Sequence, residues 1–344
     1  MNATTTYAVD TAKTVFQLHW VNPATGEISR RKLTRAKFIE FFAQRQPARV
    51  VMEACSAAHH WARTLTAMGH QVELLPPHQV RPFVRGNKDD AADAQGLWMA
   101  AGQPGIRRVP VKSMQQQAVL SLHRLRSHWV TIRTATVNNL RGLLGEFGVQ
   151  LPRGRAVGLR ELALQRAKID AQLPAMMVQA LDHQLLALQE IERHVLTMEQ
   201  QLRVVQRTDE AAKRLRKTPG IGLLGATGLA AALGDGRGWR NGREFACCLG
   251  LVPRHTGTGG KVCMGSISKR GDPYLRNLLI SGARALASRK RPGAWIQQML
   301  ERRPFNVVVV AVAHKLARIA WALVAHGRSF DAGWQSQPPA RAAA

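Results

Sequence analysis

Negative charge is what this sequence has least of. Among its 344 residues, 22 are Asp or Glu and 49 are Lys or Arg, which gives a formal net charge of +27 at pH 7. The basic residues are spread along the chain, for example at residues 30–32, 214–217 and 289–291, so no single tail explains the excess. A positive field distributed over a folded chain fits a polyanion held along an extended track, and nucleic acid is therefore the expected partner. A basic host proteome or a ribosomal location would give the same charge, and charge alone does not exclude them.

Long apolar runs, export signals and cysteine pairs are also missing. No uninterrupted apolar run reaches the roughly 18 residues of a spanning helix, so no membrane partner is expected. Residues 1–10 lack the basic start and apolar core of an export signal, which predicts a cytoplasmic protein. The four cysteines form no CxxC pair, and this argues against a structural zinc. No phosphate-binding glycine loop follows the first predicted strand, so a nucleotide cofactor is not supported.

The first third of the chain has a strand-rich pattern. Strands are predicted at residues 6–9, 15–20, 49–52 and 72–75, with another after the turn at 22–26, and helices are predicted on both sides of the fourth strand. Strands that come first in a hairpin series and then alternate with helices describe an α+β fold. The pattern favours a mixed sheet of the RNase H kind over a doubly wound nucleotide-binding fold.

The remainder of the chain is predicted to be mostly helical. Two long segments, residues 120–144 and 173–205, carry apolar residues at spacings of three and four and predict a helical hairpin or coiled-coil arm. Such an arm would space two functional ends or pair subunits. The predicted domains are residues 1–112, an arm at 113–207, a C-terminal domain at 208–331 and a disordered tail at 332–344.

Two glycine-containing segments of the C-terminal domain are candidates for holding phosphate. Residues 218–227 resemble a helix-hairpin-helix, in which Gly220 and Gly222 would let backbone N–H groups approach a phosphate. The alternative is a tight turn with packing glycines. A flexible glycine-rich loop at 257–261 and the basic turn at 268–272 form the second segment. Its cations make a plausible phosphate cradle; they are Lys261, Lys269, Arg270 and Arg276.

Four carboxylates stand where a strand-based nuclease would place metal ligands. Asp10 and Glu53 fall at the ends of predicted strands, and Asp90 and Asp93 share one face if their segment is helical. Phosphodiester cleavage with two Mg²⁺ ions needs several oxygen ligands, and crowded like charges are costly without cations. Each residue alone has an ordinary explanation, since Asp89 or Asp93 could cap a helix and Glu53 could pair with an arginine.

These motifs carry a family resemblance that covers residues 7–331. Val-Asp-Thr-Ala-Lys at 9–13, Val-Met-Glu-Ala-Cys at 51–55 and the acidic segment 87–94 resemble the N-terminal motifs of DEDD-type insertion-sequence transposases related to the pilin-gene invertases. The C-terminal half resembles that family's second signature domain at Pro-Gly-Ile-Gly 219–222, Leu-Gly-Leu-Val-Pro-Arg 249–254, Gly-Gly-Lys 259–261 and residues 267–276.

The resemblance implies a RuvC-like domain that binds Mg²⁺ through Asp10, Glu53, Asp90 and Asp93. It further implies double-stranded DNA at the element ends and target, a structured noncoding guide RNA, a homo-oligomer (dimer or tetramer) and a bacterial, nucleoid-associated location. The phosphate contacts expected from the motifs are Gly220, Gly222, Arg254, Gly259, Gly260, Lys261, Lys269, Arg270 and Arg276.

The candidate nucleophile departs from the family pattern. Relatives use a serine in the loop before Gly-Gly-Lys, whereas the matching residue here is Thr258. Threonine keeps a hydroxyl, but its extra methyl restricts χ1 and crowds the approach to phosphorus. Ser266 and Ser268 are the reserve candidates.

Two other classes of function stay open at this point. A Holliday-junction-type endonuclease would use the same four carboxylates for hydrolysis and would need neither Thr258 nor an RNA. A non-enzymatic nucleic-acid scaffold would explain the charge and the arm but not the order of the carboxylates.

Overall fold

A computed structural model describes residues 4–84 and 89–333 of the chain. Asn87 and Lys88 of the acidic motif and residues 334–344 of the predicted tail lie outside the described residues. The chain divides into two compact units, Met1–Gln115 and Gln116–Ala344. The domain boundaries expected at residues 112, 207 and 331 stay predictions.

The first unit contains one five-stranded mixed sheet in the order β3-β2-β1-β4-β5. The strands lie where the sequence predicts them: β1 Thr6–Thr11, β2 Val15–Val21, β3 Ile28–Thr34, β4 Arg49–Glu53 and β5 Gln71–Leu75. The first three pair antiparallel, and β4 and β5 run parallel to β1. Parallel neighbours need a crossover, which explains why helices flank β4 whereas short turns join the first three strands. The predicted mixed sheet is confirmed.

Helices cover this sheet on both faces. They are α1 Arg35–Ala43, α2 Ala58–Ala67, α3 Pro77–Val80 with a following 3₁₀ turn Arg81–Phe83, and α4 Asp90–Ala101. Phe16, Phe38 and Trp61 fill an aromatic core on one face. On the other face, Ala8 and Val51 of the sheet lie in one core cluster with Leu97 of α4. Each strand contributes to both cores because successive side chains alternate.

The second unit is mostly helical with one small hairpin. Its elements are α5 Met114–Glu146, α6 Arg155–Leu164, α7 Arg166–Gln172, α8 Ala175–Thr208, α9 Glu210–Arg216, α10 Leu223–Leu233, α11 Gly242–Cys248, β6 Pro253–Thr258, β7 Lys261–Ile267, α12 Pro273–Ala287, α13 Ala294–Leu300 and α14 Phe305–Ala325. The two predicted long helices correspond to α5 and α8.

The helices α5 and α8 lie side by side and run antiparallel. Arg126 of α5 forms a 2.7 Å ion pair with Glu199 of α8, and the ring of Trp129 stacks on His194 with centroids 4.4 Å apart. Since the residue number rises along one helix as it falls along the other, the pair forms a helical hairpin.

The helix α14 is long and apolar enough to span a membrane by length and composition, but half of its most apolar window is buried inside the protein. Val308, Val312 and Leu316 lie in one core cluster with residues of α9 to α12. This burial is what a central core helix shows.

Candidate active site

Two of the four predicted carboxylates sit at neighbouring strand ends. Asp10 lies near the end of β1 and Glu53 is the last residue of β4, which pairs in parallel with β1. Alternation of side chains places Asp10 on the side of Ala8, and Glu53 on the side of Val51. Ala8 and Val51 both belong to the core beneath α4, so the two carboxylates face that helix.

The other two carboxylates belong to the first turn of α4. Asp89 caps the helix, with its side chain accepting a hydrogen bond from the Ala91 N–H at 3.3 Å, and Asp90 and Asp93 follow. Capping therefore falls to Asp89, one of the two residues for which that role was considered. Carboxylate oxygens of Asp10, Asp90 and Asp93 lie within 4.8 Å of one another.

Burial and the neighbouring carboxylates raise pKa values within the cluster. Burial raises the pKa of Asp10, and the nearby Asp93 and Asp90 raise it further. Burial also raises the pKa of Glu53, followed by Asp10 and Asp93. Glu53 thus lies near the other carboxylates and not on a remote face of the sheet.

This cluster fits a divalent cation. Its donors are carboxylate oxygens, the ligands that Mg²⁺ prefers. Among the described residues, no Lys or Arg contributes to the shifted pKa values of Asp10 and Glu53. Among the described residues, burial and mutual repulsion raise these pKa values and no basic partner offsets them, and a metal ion explains such a cluster better than an ion pair.

Two arginines hold the far end of α4. The guanidinium groups of Arg49 and Arg108 donate to the carbonyl of Ala101, the last residue of the helix, at 3.0 and 3.1 Å. Both also pair with Glu73 on β5. Cations at a helix C-terminus interact favourably with its dipole. The ion-pair group therefore fixes the helix that delivers Asp90 and Asp93.

The predicted glycine loop of the second unit is a β-hairpin. The prediction of a flexible loop is wrong, because β6 and β7 pair from Pro253 opposite Ile267 to Thr258 opposite Lys261, with a register shift between Pro253 and His255. Gly259 and Gly260 form the two-residue turn, with φ values of +57° and +81°. Two positive φ values suit the turn that best matches strand twist. The sequence signal was present, since a Gly-Gly pair separates two short segments containing Thr and Val.

Thr258 is the last residue of β6 and is exposed to solvent. Directly paired residues of antiparallel strands project to the same face with Cβ atoms about 5 Å apart, so Thr258 has the cation of Lys261 as its neighbour. Ser266 is exposed on β7, and Ser268 follows that strand. Thr258 belongs to the second unit, whereas the acidic cluster belongs to the first.

Comparison with known proteins gives this arrangement a family. A profile described as Transposase IS116/IS110/IS902 family matches residues 212–298, and a DEDD transposase profile of the IS110 type matches residues 7–148. A probable family 20 transposase of Pseudomonas aeruginosa is 47% identical over 334 residues, which are 94% of this chain and 98% of that protein. The chain belongs to the IS116/IS110/IS902 family of transposases.

Further relatives agree. The transposase is 37% identical over 336 residues to the transposase for insertion sequence element IS1328 of Yersinia enterocolitica, covering 95% of this chain and 98% of that protein. A pilin gene-inverting protein of Moraxella bovis is 28% identical over 124 residues, 35% of this chain and 38% of that protein. The family resemblance inferred from the motifs is confirmed, and the DEDD domain implies the RNase H-like fold that the sheet order also indicates.

These findings decide between the classes of function left open by the sequence. The chain is a transposase and therefore an enzyme that acts on DNA, so the non-enzymatic scaffold is wrong. The comparisons give no support to a Holliday-junction endonuclease.

The basic residues predicted to contact phosphate have different environments in the transposase. Lys269 and Arg270 are exposed in the turn after β7. Arg254 is exposed on β6 and donates to the carbonyl of Ser268 at 3.2 Å. Arg276, in contrast, is only 8% exposed, and its guanidinium donates to main-chain carbonyls. Arg276 therefore links main-chain segments inside the protein and does not lie at the surface as a phosphate ligand would.

Packing accounts for one glycine of the predicted helix-hairpin-helix. Gly220 lies in the turn between α9 and α10 with a φ of +85°. A Cβ on Gly282 of α12 would lie 1.8 Å from the Gly220 carbonyl oxygen, so the turn and α12 touch through their backbones. Gly222 is the exposed N-cap of α10. Contact of either glycine with phosphate stays a prediction.

One buried histidine of the transposase received no role from the sequence. His123 of α5 is 1% exposed, and its two ring nitrogens hydrogen-bond with Tyr274 at 2.9 Å and Thr227 at 3.0 Å. Thr227 donates its proton to the Leu223 carbonyl, so it accepts from Nε2–H while the Tyr274 hydroxyl donates to Nδ1. The network ties α5 to α10 and α12. The available signal was a histidine four residues after Val119 on the apolar face of α5.

Proposed function

We propose that this transposase cuts and rejoins DNA strands with Mg²⁺ held by Asp10, Glu53, Asp90 and Asp93, and with the hydroxyl of Thr258 as nucleophile. The observation that carries the proposal is the convergence of carboxylates from two strands and one helix, because these residues lie far apart in sequence and repel one another. Bound cations would make the nucleophilic oxygen more reactive and stabilise negative charge that develops on the phosphate.

Other parts of the chain position the carboxylates and the hydroxyl. Strand ends and the anchored α4 hold the carboxylates in place before DNA binds. Thr258 presents its hydroxyl at the exposed end of the hairpin, beside Lys261, whose charge favours a nearby phosphate. The proposal requires that the cluster and the hydroxyl meet at one phosphodiester in the complex with DNA, within one chain or between subunits.

The proposed reaction conserves the phosphodiester. The Thr258 oxygen forms a bond to phosphorus while the bond from phosphorus to one sugar oxygen breaks, and overall the hydroxyl proton ends on the leaving oxygen. A covalent protein–DNA intermediate results, and a second sugar hydroxyl can displace Thr258 to complete strand exchange.

Partners complete the proposal. DNA backbone contacts come from Arg254, the hairpin turn with Lys261, and the exposed pair Lys269 and Arg270, with a helix-hairpin-helix contact at the α9–α10 turn. An RNA encoded by the element guides the protein to donor and target. The α5–α8 hairpin acts as a coiled-coil arm in a dimer or tetramer located with the bacterial nucleoid.

A suicide DNA substrate that traps the covalent intermediate tests the nucleophile. Wild type and Thr258→Ser are expected to form an adduct on a denaturing gel, and Thr258→Ala is expected to form none. Thr256→Ala is the matched control, since Thr256 is an exposed hydroxyl two residues away on the same strand. Equal adduct from Thr258→Ala would reject Thr258 and direct the search to Ser266 and Ser268. Cleavage by wild type with no adduct would favour hydrolysis.

A further inference from the structure

The buried guanidinium of Arg276 joins two segments of backbone. Its Nη1 donates to the Leu249 carbonyl at 3.0 Å and to the Arg270 carbonyl at 2.9 Å. Leu249 is the C-cap of α11, and Arg270 lies in the turn after β7. Arginine is rarely buried unless its guanidinium group is paired. These hydrogen bonds therefore explain how Arg276 can lie inside the protein.

The segment that Arg276 holds, residues 268–272, is called here the basic turn. Lys269 has a φ of +54°, a conformation that no other non-glycine residue shows in ranges 4–84 and 89–333. Such a backbone persists only where its surroundings enforce it. The enforcing bonds include the Lys269 N–H to the Gly250 carbonyl at 3.1 Å and the Ser268 N–H to the Val252 carbonyl at 2.8 Å.

Close packing fixes the same turn on its other side. Gly271 has a φ of +73°, and a Cβ there would lie 1.8 Å from the carbonyl oxygen of Cys248. The basic turn therefore rests directly on the backbone at the end of α11, with Arg276 reaching both partners. The side chains of Lys269 and Arg270 project from this fixed backbone into solvent.

We propose that Arg276 is a positioning residue for strand transfer, which clamps the basic turn so that Lys269 and Arg270 hold DNA phosphate at a fixed place at the base of the β6–β7 hairpin. β7 ends at Ile267, immediately before the turn, so the clamp also sets the point from which the hairpin carrying Thr258 projects. The inference rests on the proposed function for the phosphate contacts and the nucleophile, and it gives Arg276 a role distinct from contacting DNA.

The salt dependence of DNA binding distinguishes a residue that positions the basic turn from one that contacts phosphate. Removing one phosphate contact lowers the slope of log K against log salt concentration by about 0.9. We expect Arg270→Gln to show that loss. Arg276→Met, which removes the donors and the charge, is expected to keep the wild-type slope, because Lys269 and Arg270 keep their charges and still neutralise phosphate. Only the placement of that phosphate is lost, so the single-turnover strand-transfer rate is expected to fall by about 10- to 100-fold.

Hydrogen exchange then tests the clamp directly. In Arg276→Met, the amides of Ser268 and Lys269 are expected to exchange faster than in wild type, while amides of the buried α14 keep their protection. Arg276→Lys retains a donor and is expected to give intermediate rates in both measurements. If Arg276→Met fails to fold, Arg276→Lys is used for the same measurements. Thermal melts of all variants show whether any loss of activity follows global unfolding.

Two results would overturn the proposal: unchanged exchange at Ser268 and Lys269 in both Arg276 variants, or a slope that falls in Arg276→Met as it does in Arg270→Gln. The exchange and salt measurements do not depend on Thr258. Absence of a wild-type adduct would therefore count against the nucleophile, while exchange in the basic turn would still decide the role of Arg276.

Discussion

The acidic cluster and the β6–β7 hairpin carry the two halves of the proposed chemistry in opposite surroundings. The cluster stands on fully buried residues such as Ala8 and Val51 and on a helix pinned at its far end. In the hairpin, all of β6 and nearly all of β7 are exposed. The carboxylates repel one another and need a rigid support, whereas a nucleophile must be open to a large substrate. In the proposed mechanism, the fold would fix the metal ligands before DNA binds, and contacts with DNA would place the hydroxyl.

The largest effect is expected from the removal of one carboxylate of the cluster. Asp10→Asn should lower DNA cleavage by about 10³-fold, because it takes away a metal ligand, while DNA binding is retained. The same change should raise the melting temperature in metal-free buffer, since it relieves repulsion from Asp90 and Asp93. Cleavage assays and thermal melts measure both effects, with exposed Glu27→Gln as control. Loss of folding in Asp10→Asn would mean that the carboxylate is structural.

Two glycine substitutions compare the closely packed basic turn with the exposed β6–β7 hairpin. Gly271→Ala should destabilise the protein by roughly 3 kcal/mol, because the added Cβ would meet the Cys248 carbonyl. Gly259→Ala also has a positive φ but meets open space, so it should cost about 1 kcal/mol locally and leave global unfolding almost unchanged. Urea denaturation measures both variants. Similar midpoints would show that the basic turn is no more constrained than the hairpin.

Metal binding should stabilise the first unit. Mg²⁺ at 100 times its dissociation constant should raise the unfolding free energy by about 2.7 kcal/mol, and EDTA should reverse the gain. The combined change Asp90→Asn and Asp93→Asn should abolish the effect, whereas Lys261→Gln on the hairpin should leave it intact. Calorimetry with and without Mg²⁺ checks this. Equal stabilisation in the carboxylate variant would place the ion elsewhere.

The smallest predicted effect near neutral pH is a pH dependence of stability. Burial, with a further contribution from Arg126, lowers the pKa of His123 to about 4. An unfolded histidine titrates near 6.5. The native state therefore binds fewer protons between these values, and stability should fall as pH decreases from about 6.5 to about 4, by roughly 1.4 kcal/mol per pH unit from this residue.

The two units again offer a matched pair of variants. Burial also lowers the pKa of His59, in the first unit, to about 4, with Lys112 and Arg63 contributing. Because both pKa values are lowered to about 4, the two residues should contribute about equally to the dependence. Denaturant titrations from pH 7 to pH 4 should show that His123→Gln and His59→Gln each flatten it to a similar extent. An unchanged slope in His123→Gln would contradict the assignment.

Much of the first unit was predictable because its signals are local and consistent. Each strand was found from its apolar residues and the turns around it, and the order of connections indicated a mixed sheet. The prediction was weaker at residues 253–267, where Gly-Gly was taken as flexibility and forms a hairpin turn. Its strands bury almost nothing, so the apolar alternation that marks most strands is missing there.

The sequence by itself determined the family, the positive field, the mixed sheet and the order of the four carboxylates, since these depend on residue type and short spacing. Only the tertiary structure decided that Asp10, Asp90 and Asp93 meet within 4.8 Å, that Arg276 is buried, and that His123 joins three helices. These facts depend on which elements pack against each other. A buried arginine and an exposed one have the same side chain, and only the surrounding carbonyls distinguish a clamp from a contact with DNA.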